Sequence, residues 1–392
     1  MRKPLSGKKK KLKKLPICIL IHLKILSDFL ENDIMKKVMV GMSGGVDSSA
    51  AAMLLREQGY DVTGVTLKMF SDEDIVQAQK EGKTCCALSD VLDARSVAHR
   101  LGFEHIVFNF KDCFRENVMQ NFADSYLCGQ TPNPCIDCNR YVKFDKMLRR
   151  AIELEFDYIA TGHYAINEYD GNSGRYLLKR PKDRSKDQTY VLYSLTQFQL
   201  AHTLFPLGNL EKSQVRILAE NAGLVNADKP DSQDICFVPD GNYAEFIRKF
   251  SGISPKSGDF TDVNGNILGK HKGIINYTVG QRKHLGISLG KPAYVVRKDI
   301  EKNTVVLGDE KDLYTNILHA RDVNLISVPE ISSPMRITAK TRYSQKDSPA
   351  VLSYKGDGIY TVEFDNPQRA VTSGQAVVFY DGDIVVGGGT II

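Results

Sequence analysis

The chain has 392 residues, 42% hydrophobic and 25% charged, the balance of an ordinary globular protein with length for about two or three domains. Eight cysteines over that length are too sparse for a disulfide framework. They point to thiols kept reduced for chemistry or metal, hence to a cytoplasmic protein. The net charge of +5 is concentrated in residues 1–34, where nine Lys/Arg stand against three Asp/Glu. That excludes a nucleic acid held by bulk charge; any such partner must be held by local patches.

Residues 1–34 open on a lysine run, Lys8 to Lys11, followed by an apolar stretch from Ile17 to Leu26 that His22 and Lys24 interrupt. The stretch is too short and too broken to span a bilayer, so no membrane partner is expected. Met35-Lys36-Lys37 leads straight into a strand. Residues 1–34 are therefore set apart as a basic N-terminal extension, disordered or not translated, with a targeting segment as the alternative.

Val38 to Met42 reads as a short buried strand, followed by the turn Ser43-Gly44-Gly45-Val46-Asp47-Ser48-Ser49 and a helix opening on small residues. Glycines let backbone approach a bulky anion, and the first helical turn points free N–H groups at it. Serine hydroxyls add donors, and Asp47 can hold a Mg²⁺ that screens phosphate charge. The spacing is not that of a Walker A loop, and no lysine follows. SGGVDSS resembles the PP-loop of the N-type ATP pyrophosphatases, which implies that the anion is ATP, split to AMP and pyrophosphate.

Downstream, strand and helix alternate: a strand over 59–67, a helix from Ser89 to Leu101 stopped by Gly102, and strands over 104–109 and 156–160. This predicts a doubly wound parallel sheet, an α/β fold. The fourth strand runs into Thr161-Gly162-His163-Tyr164, where a glycine admits close approach of a base or ribose. Thr131-Pro-Asn-Pro-Cys-Ile-Asp-Cys138 reads as a proline-rich loop before a helix from Phe144 to Glu153. Tyr243 to Phe250 looks helical, and turns through Gly258, Asn264-Gly265 and Gly273 mark a small linking domain with a hairpin. Beyond about residue 290, short strands at regular spacing (294–296, 304–307, 336–343, 360–364, 376–380, 384–386) suggest a small C-terminal β-barrel. The expected division is 35–238 for ATP binding and catalysis, 239–290 for a central domain and 291–392 for the barrel.

The thiols narrow the chemistry. Cys135-x-x-Cys138 lacks the second ligand pair of a zinc site and the context of a thioredoxin dithiol. Buried, inert sulfur suits Cys18, Cys85, Cys86, Cys113 and Cys128; Cys135, Cys138 and Cys236 instead fall in polar loops where a thiol is reachable. Beside an ATP site, such thiols suggest adenylation of a weakly electrophilic oxygen, then displacement of AMP by sulfur carried as a persulfide.

GMSGGVDSSAAAMLL, TPNPCIDCNRYVKF, ATGHYA, KDQTYVLYSL, FPLGNLEKSQVR, SQDICFVPDGNY, GIINYTVGQRKHLGI, KTRYS and SGQAVVFY together resemble the tRNA-specific 2-thiouridylases from Met35 to Ile392. The resemblance implies a tRNA uridine 2-sulfurtransferase of the adenine nucleotide alpha hydrolase-like fold. Its partners would be tRNA, at the wobble uridine of the anticodon stem-loop, and a sulfur donor such as a cysteine desulfurase or persulfide relay protein. It also implies site roles. Gly41, Met42, Ser43, Gly44, Gly45, Val46, Asp47 and Ser48 would hold the ATP phosphates, with Leu67 and Gly162 meeting the nucleotide through backbone. Cys138 matches the nucleophile and Cys236 the persulfide carrier. Asn133, Pro134 and Cys135 match the segment meeting the target base; the central domain, with His163, Lys186, Asp187, Gln188, Arg342, Tyr343 and Gln375, would contact tRNA. Many members place an acid/base aspartate where this chain has Cys135, so that role passes to Cys135 or to another group, with Asp137 expected to point elsewhere. Alternatively, Cys135, Cys138 and Cys236 would ligate an iron–sulfur cluster. The competing readings are a PP-loop amide or guanidino ligase, which has no use for the thiols, and an ATP-regulated RNA-binding or sulfur-carrier protein without turnover.

Overall fold

The computed structural model describes residues 35–70, 88–230 and 235–392. The basic extension 1–34, Cys18, Cys85 and Cys86 lie outside the described residues.

Strand β1 (Lys37–Gly41) carries three wholly buried residues whose side chains alternate across the sheet, as the two-residue strand period dictates. Val38 and Val40 pack on one face with Val46, Ala52 and Leu55 of α1 (Val46–Glu57), Ala94 and Val97 of α2 (Leu88–Leu101) and Ala219 of α5 (Lys212–Asn221). Met39 packs on the other face with Met147, Leu148 and Ala151 of α4, a helical run over 134–153, and with α3, a helical run over 111–127. Helices on both faces are what a continuously apolar parallel strand requires.

Strands β2 (Asp61–Lys68), β3 (Glu104–Asn109), β4 (Tyr158–Thr161) and β7 (Thr203–Leu204) complete a parallel sheet of order β3-β2-β1-β4-β7. The chain winds outward from β1 in both directions, so the crevice at the carboxyl ends of β1 and β4 is where ligands of such sheets bind. Gly41 ends β1 and Thr161 ends β4 at that crevice.

Two expectations are corrected. The stretch around Cys135 is helical from Pro134 onward: Asn133 caps it by accepting from Cys135 N at 3.1 Å, with proline in the first turn, where its missing N–H costs nothing. The strands at 294–307 also belong elsewhere. β10 (Tyr294–Asp299) and β11 (Thr304–Gly308) join β8 (Gly258–Thr261) and β9 (Ile267–His271) in the sheet β10-β11-β8-β9, β11 running parallel to β8. The barrel therefore begins after Gly308.

Its strands are β12 (Tyr314–Leu325), β13 (Met335–Lys340), β14 (Ser348–Gly356), β15 (Ile359–Arg369), β16 (Ala376–Asp381) and β17 (Ile384–Ile391), in the order β12-β15-β14-β13-β16-β17. Pairing of β12 with β17 closes it around Leu318, Ile337, Leu352, Val362, Phe364 and Phe379. A hairpin of the first domain, β5 (Ile166–Asp170) and β6 (Arg175–Lys179), joins the edge of β17.

Candidate active site

The glycine turn sits between β1 and α1 as the anion cradle requires. Gly44 has φ +76°, and a β-carbon there would lie 2.5 Å from the Asp90 carbonyl oxygen, so both conformation and space demand glycine. Met42 N donates to Val65 O at 2.7 Å and Thr66 Oγ1 to Met42 O at 2.9 Å, fixing the entry to the turn. Ser48 Oγ accepts from Ser43 N at 3.2 Å and donates to Gly45 O at 3.0 Å, and Asn226 Nδ2 donates to Gly44 O at 2.9 Å. No side chain caps α1 at Gly45, so its first N–H groups face the crevice with the helix dipole behind them. Gly162 closes the opposite wall: a β-carbon there would lie 2.7 Å from the Asp47 carbonyl carbon and Ser48 N. Leu67 pairs with Phe108 on β3 near the carboxyl end of β2.

Asp47 does not stand alone. Lys212 Nζ, at the start of α5, lies 2.7 Å from each of its carboxylate oxygens, and the Tyr164 hydroxyl donates to Oδ1 at 2.8 Å. The lysine side chain is 11% exposed and the aspartate 29%, so this is a largely desolvated pair within a hydrogen-bonded frame. An ammonium thus occupies the face of Asp47 where a divalent cation would bind, so the carboxylate fits a Mg²⁺ only as Lys212 turns away. Sequence reasoning passes over Lys212 because nothing in FPLGNLEKSQVR marks its lysine as buried.

Helix α4 carries the CxxC thiols. Three residues apart, Cys135 and Cys138 share one helix face. Cys135 is exposed, whereas Cys138 is buried, correcting the expectation of a reachable loop thiol: Ile136, Cys138, Asn139 and Val142 face the core. From Cys138 to Lys146 the helix is π-type, bonded i to i+5, so Lys143 swings toward the face of Cys138 instead of across the helix. Burial pushes the Cys138 thiol up to about 11, with Lys143 opposing it and Cys135, Asp137 and Cys113 adding to it. Cys135, accessible yet with protein on most sides, is raised by burial and likewise opposed by Lys143. Burial lifts Asp137 to about 6 against the pull of Arg140. Asp137 lies on the same helix between the two cysteines, where its charge adds to the rise of the Cys138 thiol. His163 is buried with Nδ1 2.7 Å from Thr161 Oγ1, its ring beside Phe144 and Phe205; burial, with Lys143, holds it neutral. Further along α4, the Met147 thioether packs 3.5 Å from where a β-carbon on Gly41 would sit.

Family models match the chain in three consecutive blocks: a tRNA methyl transferase HUP domain over 36–240, a tRNA methyl transferase PRC-barrel domain over 244–309, and an aminomethyltransferase beta-barrel domain over 315–391. The tRNA-specific 2-thiouridylase MnmA of Acetivibrio thermocellus is 59% identical over 356 residues, 91% of this chain and 99% of that protein. The chain belongs to the tRNA-specific 2-thiouridylase family. Two other 2-thiouridylases, from Thermoanaerobacter sp. (strain X514) and Clostridioides difficile (strain 630), are 56% and 54% identical, each over 91% of this chain and 97% and 98% of their own.

Of the positions expected to contact tRNA, Lys186, Asp187 and Gln188 lie in the first domain and Arg342, Tyr343 and Gln375 among the barrel strands. Gln188 Oε1 accepts from Tyr164 N at 2.8 Å, and Asp187 Oδ1 accepts from Thr189 N and Oγ1 at 2.9 and 2.6 Å; Lys186 precedes them, half-buried. Arg342 Nη2 donates to Ala370 O at 2.7 Å and Thr372 Oγ1 at 3.1 Å, while Tyr343 beside it is 44% exposed. Gln375 Nε2 donates to Thr131 O at 2.6 Å and Thr131 N to Ser373 O at 2.9 Å, so the barrel holds the segment leading into Asn133, Pro134 and Cys135.

Cys236 is half-buried, next to Phe237, which packs on Phe114, Phe122 and Phe246. Among the described residues no three His, Cys, Asp or Glu side chains are gathered to hold a metal, so Cys135, Cys138 and Cys236 do not fit an iron–sulfur cluster as arranged here. Cys113 is half-buried, its sulfur 3.8 Å from Tyr141 O, but Cys128 is exposed, correcting its reading as buried sulfur. No helix among the described residues is long and apolar enough to cross a membrane.

Proposed function

We propose that this protein is a tRNA uridine 2-sulfurtransferase that uses ATP to replace the 2-oxo group of the wobble uridine with sulfur. The observation that carries the proposal is α4: one helix joins Cys138 to Met147, which packs against Gly41 beside the phosphate cradle. Nine residues of helix set the thiol and the cradle roughly 10–14 Å apart, a span that a nucleotide and a base fill between them.

The uridine 2-oxygen attacks the α-phosphate of ATP and expels pyrophosphate, leaving an O-adenylated base. The α1 N–H groups, Ser43 and Ser48 hold the phosphates, and Gly162 lets the facing wall come close. Asp47, once Lys212 has turned away, would hold a Mg²⁺ that supplies charge screening on those phosphates. Cys236 carries sulfur as a persulfide received from a cysteine desulfurase or relay protein. Cys138, once deprotonated, attacks the Cys236 sulfur of that persulfide; a Cys138–Cys236 disulfide forms and hydrosulfide leaves. Hydrosulfide adds to C2 of the activated base, AMP departs, and an external thiol reduces the disulfide. Asp137 suits the proton traffic of these steps, being poised near neutral pH. Residues 35–238 would form the catalytic domain, with tRNA-contacting positions drawn from it, the central domain and the barrel.

The test is nucleoside mass analysis of unmodified tRNA incubated with protein, Mg-ATP and a sulfur source. Wild type is expected to make 2-thiouridine with release of AMP, and Cys138→Ala and Cys236→Ala to lose it. A double variant retaining full ATP-dependent activity would indicate a ligase instead. No AMP release with tRNA present would indicate a binding protein.

A further inference from the structure

Lys340 ends β13 in the wall between the barrel and the first domain, and it is 8% exposed. Its Nζ lies 5.9 Å from the ring centroids of both Tyr190 and Tyr343, and among the described residues it makes no hydrogen bond and no ion pair. The nearby carboxylates are engaged elsewhere. Asp187 accepts from Thr189, and Asp347 is paired with Arg180 at 3.1 Å. Burial accordingly lowers the lysine from its usual range, with Arg180 adding to that and Asp187 and Asp347 opposing it. Two residues on, Arg342 is also half-buried and bonded to neutral oxygens, with another cation, Arg369, in its field. A lysine with its stem buried and its ammonium still open to solvent, beside a half-buried guanidinium bonded to neutral oxygens, is placed to take an anion from solution. Next to Arg342, Tyr343 presents an exposed ring whose electrostatic neighbours include Asp187 and Cys135.

We propose that Lys340 is the receptor for a backbone phosphate of the RNA substrate, with Arg342 as second cation and the Tyr343 ring as the surface on which an unstacked base rests. Such a site takes the phosphodiester of a single-stranded segment, the form a base must adopt to leave its stack and reach a thiol. The inference rests on the reading of this protein as acting on tRNA and adds to it the residue that anchors the backbone beside the target.

The experiment measures binding of an anticodon stem-loop RNA from 50 to 300 mM salt by wild type, Lys340→Met and Lys355→Met; Lys355 is exposed on β14, away from the site. Removing one phosphate-binding cation lowers the slope of log affinity against log salt by about one. Lys340→Met is expected to show that drop, with roughly tenfold weaker binding at the lowest salt. Its thermal midpoint is expected to hold, because methionine keeps the buried stem and no hydrogen bond or ion pair is lost, and its ATP affinity is expected to stay. Lys355→Met should keep the wild-type slope. An unchanged slope in Lys340→Met overturns the proposal, and a falling midpoint beside it would mark the lysine as structural. Lost ATP affinity with the RNA slope intact overturns it too, assigning the lysine to nucleotide phosphate. Wild-type protein that binds no RNA at any salt would sink the tRNA reading beneath it.

Discussion

Lys143 sets how hard it is to make a nucleophile of Cys138. In a buried site the thiolate is disfavoured, and Lys143 is the influence acting the other way. Removing that charge leaves only groups that raise the thiol. Lys143→Met is therefore expected to move the alkylation midpoint of Cys138 upward and slow its reaction with iodoacetamide several-fold at pH 8. Peptide mass mapping of the alkylation rate from pH 7 to 10, on the rising limb below the midpoint, checks this; an unchanged rate at every pH would remove Lys143 from the site. At this scale the sequence is partly legible. Cys138 and Asp47 stand out because thiols and carboxylates carry chemistry wherever they lie. Lys143, Lys212 and Lys340 do not, because a lysine matters here through burial and through what it faces, and neither is written in a local string.

The elements divide in the same way. The strand, glycine turn and helix from Lys37 to Glu57 are readable because each residue is constrained by its immediate neighbours: apolar alternation, then glycine, then small residues. Gly162 tests that constraint from the far wall. Alanine there would press its methyl into the Asp47–Ser48 backbone, which cannot give as a flexible side chain can. Gly162→Ala is expected to destabilise the protein by about 1–3 kcal/mol and to weaken ATP binding at least tenfold, measured by urea unfolding and nucleotide titration. Tight ATP binding in a variant of unaltered stability would mean that the two walls do not meet. The start of helix α4 reads as a loop because of its two prolines, although Asn133 followed by Pro134 is a cap and a first helical turn. Strands β10 and β11 read as part of the barrel because pairing with β8, more than forty residues earlier, leaves no local trace.

In the whole molecule many bonds tie the barrel to the first domain, from Arg184 on Asp383 to Asn324 on Tyr193 and Leu195, and two of them bear on the thiol helix. Thr131 gives its carbonyl to Gln375 and its N–H to Ser373, immediately ahead of the helix that carries both CxxC cysteines. Gln375→Leu would leave the Thr131 carbonyl unpaired at the seam, at a cost of about 1–3 kcal/mol. It is expected to raise the apparent KM for tRNA several-fold while ATP affinity holds, since the cradle lies at the other end of α4. Steady-state thiolation with each substrate varied in turn would separate the two; equal losses for both would show that the seam supports the site only by overall stability.

That seam is itself fastened from further along the chain. Gly374 N donates to Ile391 O at 2.9 Å, and Ile391 N to Gln375 O at 2.8 Å. The segment entering the helix of Cys135 and Cys138 is thus clamped by residues that a ribosome adds long afterwards. While the chain is being made, the phosphate cradle can form early, but the thiol helix lacks its clamp until β17 has emerged. The order of synthesis therefore puts the cradle's own strand and helix first and the fastening of the thiol helix last.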